Sequence, residues 1–250
     1  MNAVLLIHGF PLDHLLWRHQ LSALSRWQCL APDLRGAGGA GASPGPDSPD
    51  EYSMARYAGD LIRLLDDSQI DEAVVCSLSM GGYIAFELLR QVPKRIRALI
   101  LCNTKAVADT VEGKRGRDAL AARAQREGAR GVAEALVPKL LARVTREQQP
   151  AVVREVTEMI ERQPVSGIVG ALRALRDRPD STPLLARIRV PVLVVAGDDD
   201  QLIPAAVMEE MAGAIADARF VVIPGAGHLP PLEQPAAVNR LLADFLGQIR

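Results

Sequence analysis

Two serines, Ser77 and Ser79, lie in the run Val74-Val75-Cys76-Ser77-Leu78-Ser79-Met80-Gly81-Gly82-Tyr83, where an apolar, strand-like stretch passes directly into a helical pattern. A serine at the apex of so tight a strand-to-helix turn is strained, and its hydroxyl stands clear of the sheet, as nucleophilic attack requires. The turn has no room for bulk two residues to either side of its apex. With Ser79 at the apex those positions are Ser77 and Gly81, both small. With Ser77 there, one of them is Val75, whose β-branch would clash. Ser79 is therefore the candidate nucleophile. A serine hydroxyl attacks poorly until a base takes its proton, so a histidine is needed nearby. The chain has four: His8, His14, His19 and His228.

These residues need a frame. Short apolar runs at 3–7, 28–31, 73–77, 98–102, 190–196 and 219–223 read as buried strands. Amphipathic stretches at 15–26, 54–68, 82–91, 205–216 and 236–249 read as the helices between them. Continuous rather than alternating apolar strands suit a parallel sheet covered on both faces, so the expected fold is α/β with a doubly wound, mostly parallel sheet. In such sheets ligands bind beyond the carboxyl ends of the strands. From 105 to 183 no strand-like run occurs. Strong helix formers at 118–127, 132–143, 151–162 and 167–178 imply a helical cap inserted between core strands, with Gly113, Gly116, Gly128 and Gly131 as breaks. The expected division is 1–104 and 184–250 for the core and 105–183 for the cap. So short a cap implies a compact, partly closed pocket for acyl groups of roughly two to six carbons. The glycine- and alanine-rich stretch 36–45 lacks the strand-to-helix setting of a phosphate cradle and reads as a connection.

The motifs after the strands resemble those of the α/β-hydrolase family, particularly its small esterases and lactonases similar to 3-oxoadipate enol-lactonase. They are His8-Gly9-Phe10, Asp33-Leu34-Arg35-Gly36, Leu78-Ser79-Met80-Gly81-Gly82, Gly197-Asp198-Asp199-Asp200 with Pro204, and Gly225-Ala226-Gly227-His228. The resemblance implies the chain order nucleophile, acid, histidine, which leaves His228 as the general base. It aligns Asp200 with the acid that orients the imidazole, three residues after Gly197 and four before Pro204, with Asp199 as the alternative. Asp198 matches a structural acidic position. The backbone N–H groups of Met80 and Phe10 would form the oxyanion hole, and His8 would brace its loop. The implied reaction is cleavage of a small carboxylic ester or lactone through an acyl-enzyme, with no metal or organic cofactor. The same constellation also serves carbon–carbon hydrolases, perhydrolases, thioesterases and acyl transferases, and a ligand sensor could retain it. Two features depart from the family pattern. Ser77 stands where glycine is usual, and the chain begins at the strand before His8 without the β-hairpin common in relatives, which implies a shorter sheet with an exposed edge.

Composition agrees with a small-molecule enzyme. The 250 residues are 48% hydrophobic with a formal net charge of -1, enough for one sizeable core and without the basic footprint of a nucleic-acid or membrane-surface protein. Cys29, Cys76 and Cys102 lie in apolar runs and imply reduced thiols. The first residues lack the basic segment and apolar length of a signal sequence, so the expected location is the cytoplasm. Asp33 and Arg35 are expected to tie down their loop, Glu233 to start a helix near Pro235, and Arg173, Arg176 and Arg178 to be solvated, with one of them holding a substrate carboxylate as the alternative.

Overall fold

The computed structural model describes residues 3–38 and 51–249. Among the described residues six strands form, at Ala3–Ile7 (β1), Gln28–Leu30 (β2), Ala73–Leu78 (β3), Ile96–Cys102 (β4), Val192–Gly197 (β5) and Ala218–Ile223 (β6). All pair in parallel in the order β2-β1-β3-β4-β5-β6. β1, β3 and β5 are buried along their whole length, which is why their sequences do not alternate. Edge strand β2 is only half-buried.

The helices α1 (Arg18–Ala23), α2 (Met54–Asp67), α3 (Met80–Gln91), α9 (Ala205–Gly213) and α11 (Pro235–Leu246) alternate with the strands, and one single turn, α10 (Pro230–Glu233), precedes the last. The chain is thus a doubly wound α/β protein. After β1 the chain runs outward to β2, whereas after β3 it runs the other way to β4. The loops leaving β1 and β3 therefore part, and a crevice opens at the carboxyl ends of these two strands. Register keeps those ends level: Ile7 lies opposite Ser77, and Leu78 opposite Cys102.

Five helices occupy the stretch between β4 and β5: α4 (Val111–Leu140), α5 (Arg143–Gln148), α6 (Pro150–Glu161), α7 (Val165–Arg176) and α8 (Thr182–Leu185). Here the glycine reading holds at Gly128 and needs correction at Gly113, Gly116 and Gly131. The expected helices at 118–127 and 132–143 fall in the two halves of α4, which Gly128 separates with φ 70° and ψ −171°. Gly113, Gly116 and Gly131 stay helical. An interior glycine costs about 1 kcal/mol relative to alanine, and packing of α4 on both α6 and α7 outweighs that. Residues 39–45 of the glycine-rich connection lie outside the described residues. Cys29, Cys76 and Cys102 are free thiols, and no described helix is long and apolar enough to cross a membrane.

Candidate active site

Ser79 occupies the junction of β3 and α3 with φ 53° and ψ −110°, a conformation that a residue with a side chain adopts only under constraint. The constraint is mostly backbone. The Ser79 N–H donates to the Cys102 carbonyl at 2.9 Å, and the Ser79 carbonyl accepts from Gly82 N–H at 2.9 Å and from the Thr104 hydroxyl at 2.8 Å. A Cβ on Gly81 would run into the Ile7 carbonyl, so the turn cannot accept a larger residue there. Ser77 is buried, and its hydroxyl donates to the Ile100 carbonyl at 3.1 Å. The usual glycine is thus replaced by a serine whose hydroxyl is absorbed by the neighbouring strand.

His228 and Asp200, both buried, lie on loops after β6 and β5. His228 Nδ1 is 2.8 Å from Asp200 Oδ2. An imidazole that donates Nδ1–H to a carboxylate keeps Nε2 free to accept a proton. The other Asp200 oxygen accepts from the N–H groups of Leu202 and Ile203 at 2.8 and 3.1 Å. Burial pushes the Asp200 carboxyl up, but the charge of His228 and hydrogen bonds from His228, Asn103 and Leu202 hold it below the usual range. Asp199 faces elsewhere, accepting from Arg143 N–H at 2.7 Å. Asp198 accepts from Gly225 N–H at 2.8 Å, which ties the two loops together.

Two residues that sequence reasoning missed complete this side. Asn103, just past β4 with φ 46°, donates from Nδ2 to Asp200 Oδ2 at 2.8 Å and to the Gly227 carbonyl at 3.1 Å. With two acceptors facing one nitrogen, its amide orientation is fixed. Its only sequence signal is its place at the carboxyl end of a strand. Glu233 does precede Pro235 at the first position of α11, but its carboxylate turns inward. One oxygen accepts from Gly227 and Leu229 N–H at 2.8 and 3.0 Å, on either side of His228. The other accepts from Ala142 N–H at 2.8 Å and the Thr145 hydroxyl at 2.7 Å. Burial raises its pKa, and these donors offset only part of the rise.

Ser79, His228 and Phe10 line one cavity of about 120 Å³. Phe10 and Met80 line a smaller one beside it, of about 20 Å³. Met80 opens α3, so its N–H has no acceptor within the helix. The loop after β1 abuts the elbow: a Cβ on Gly9 would lie 3.3 Å from that of Ser79. His8 braces this loop, with Nδ1 2.9 Å from the Gly9 carbonyl and Nε2 accepting from Leu34 N–H at 3.0 Å. Burial lowers its pKa and keeps it neutral, as that pattern demands. Asp33 pairs with His14 at 2.8 Å, and Arg35 grips Asp60 with two bonds at 2.7 and 2.8 Å. Asp13, His14 and Asp33 bring potential metal ligands within 4.8 Å of one another, but Asp13 already pairs with Arg162 and Asp33 with His14. Arg178 is not solvated: it is buried, with its guanidinium 4.2 Å over the Tyr83 ring.

The family defined by the alpha/beta hydrolase fold matches residues 2–235. The chain belongs to the α/β-hydrolase family. This hydrolase is similar to a thermophilic esterase from Thermogutta terrifontis, at 39% identity and a TM-score of 0.94, over 100% of this chain and 90% of the other. It is also similar to the enol-lactonase from Burkholderia xenovorans LB400, at 30% identity and a TM-score of 0.90, over 99% and 92%. Among curated relatives, a putative carbamate hydrolase from Azorhizobium caulinodans is 30% identical over 93% of this chain and 86% of its own length. The expected resemblance to 3-oxoadipate enol-lactonase holds: the enzyme of that name from Acinetobacter baylyi is 27% identical over 90% of this chain and 80% of its own.

Proposed function

We propose that this hydrolase cleaves a small carboxylic ester or lactone through an acyl-enzyme on Ser79. The observation that carries the reading is a strained serine at the strand-to-helix elbow sharing one cavity with a histidine whose Nδ1 is 2.8 Å from a buried carboxylate. In this mechanism His228 Nε2 takes the Ser79 proton as the hydroxyl attacks the carbonyl carbon. Asp200 fixes the tautomer and stabilises the imidazolium without taking the proton. The N–H groups of Phe10 and Met80 stabilise the tetrahedral oxyanion. His228 then protonates the leaving alkoxide and activates water to release the acyl group. Residues 105–183 act as a cap over a core of 1–104 and 184–250, and the cavity of about 120 Å³ suits a short acyl chain.

The deciding experiment compares Ser79→Ala with Ser77→Ala on p-nitrophenyl acetate. Ser79→Ala should lose about four orders of magnitude or more in kcat with its fold intact, whereas Ser77→Ala should keep most activity. An active Ser79→Ala variant would refute the assignment.

A further inference from the structure

The cavity that holds Ser79 and His228 carries more positive charge than its surroundings neutralise. Lys105 and Arg117 both line it. Arg117 Nε donates to one oxygen of Asp109 at 3.0 Å, and Arg178 donates to the other at 2.7 Å, so a single carboxylate serves two guanidiniums. Lys105 is half-buried, and among the described residues its ammonium forms neither a hydrogen bond nor an ion pair. Burial and the nearby Arg178 and Arg117 charges hold its pKa below the usual lysine range, with Asp109 offsetting only part. Around Lys105, three cations thus share the one carboxylate of Asp109, with Lys105 and Arg117 lining the cavity and Arg178 behind its wall. Withdrawing an ammonium from water next to two guanidiniums is costly unless an anion shares the site. Most of the remaining wall is apolar, with Leu136, Leu140, Leu175 and Ile203 beside Phe10 and Tyr83. A ligand matching this cavity has a short hydrocarbon body and a charged end.

We propose that Lys105 and Arg117 form an anion-binding subsite in the substrate cavity, and that the ester or lactone cleaved here carries a carboxylate that docks on them. The proposal rests on the reading of Ser79 as nucleophile and adds the substrate class. Arg178 takes a positioning role: stacked on Tyr83 and bonded to the carbonyls of Leu175 and Val107, it holds Asp109, which in turn orients Arg117. Lys105 supplies the uncommitted charge. A carboxylate anchored there leaves the hydrocarbon against the leucines and presents the far carbonyl to Ser79.

The test compares monomethyl glutarate with methyl pentanoate, two acyl groups of equal carbon count that differ in the terminal carboxylate, by methanol release. The monoanion should have the higher kcat/KM by about tenfold or more, mainly through KM, as one charge-assisted hydrogen bond would give. Added sodium chloride should narrow the gap. Lys105→Met should lower the ratio of anionic to neutral kcat/KM by about tenfold, and Lys105→Arg should restore most of it. Equal rates on the two esters, or a ratio unmoved by Lys105→Met, would overturn the subsite while leaving the esterase reading intact. Should neither ester turn over, the esterase reading fails separately, and calorimetric titration of glutarate into Ser79→Ala decides the subsite. Binding that weakens when Lys105→Met is added supports it, and absence of binding refutes it.

Discussion

Ser79 and His228 meet in one cavity but are held there by different forces. The serine is fixed by the sheet: its strand is buried at every position, its N–H bonds to the adjacent strand, and Gly81 lies against the Ile7 backbone. Only one side-chain bond, from Thr104, touches its backbone among the described residues. The histidine sits on a loop beyond the strands, and buried side chains hold it: Asp200 on the ring, Asn103 on Asp200 and Gly227, and Glu233 on the amides at both sides. A position fixed by many backbone contacts tolerates the loss of one polar group. A position fixed by a few buried carboxylates does not, because each loss strands several donors away from water.

Asp200 gives the strongest way to break this comparison. Asp200→Asn should lower kcat by about 10⁴-fold, the cost of the wrong imidazole tautomer. Asp199→Asn, at a carboxylate that only receives surface amides, should cost less than about tenfold. Steady-state kinetics on one ester decides, and equal modest losses would mean that the acid is misplaced or shared between the two adjacent carboxylates.

Glu233→Ala against Thr104→Val sharpens the contrast between the two supports. Removing Glu233 leaves three N–H groups and one hydroxyl without their acceptor, so denaturant unfolding should show a loss of about 3 kcal/mol or more. kcat should fall with KM little changed, because the base shifts while the pocket wall stays. Thr104→Val removes one bond to the elbow and should cost about 1 kcal/mol with activity nearly preserved. Comparable kinetic damage from both would erase the distinction.

Asn103→Ala should have the smallest effect, visible chiefly against pH. Asp200 is held below the usual carboxylate range, so it adds stability that is present above its unfolded pKa and lost as pH falls through its folded one. Removing the Asn103 donor raises the folded pKa. Acid unfolding followed by circular dichroism should therefore begin at a higher pH than in the parent. An unchanged acid midpoint would place the support of Asp200 in Leu202, Ile203 and His228 alone.

The central strands were legible because β1, β3 and β5 are nearly unbroken apolar runs, and a sheet covered on both faces demands that pattern. Ser79 was legible because steric limits two residues away admit one serine and reject the other. Asn103 and Glu233 were not: Asn103 meets Asp200 across 97 residues, and Glu233, besides the nearby Gly227 and Leu229 amides, reaches Ala142 across 91, only once separate loops converge. Lys105 was hidden for a related reason. Placed just after Thr104, it read as the first residue of an insertion, and nothing local says that it faces the nucleophile. Glycine misled at 113, 116 and 131 because local propensity is weaker than the packing of a long helix.

The corner between α4 and α5 has a consequence for engineering. The His228 N–H donates to the Leu140 carbonyl at 2.9 Å, Ala142 N–H to Glu233 at 2.8 Å and Arg143 N–H to Asp199 at 2.7 Å. Three stitches thus join the helical segment to the loops that carry His228 and Asp200. The segment is not a detachable module. Excising it to make an open variant would unseat the imidazole together with the roof. A chimera that borrows the helices of a relative must transplant residues 140–145 as a matched set with the two loops they fasten.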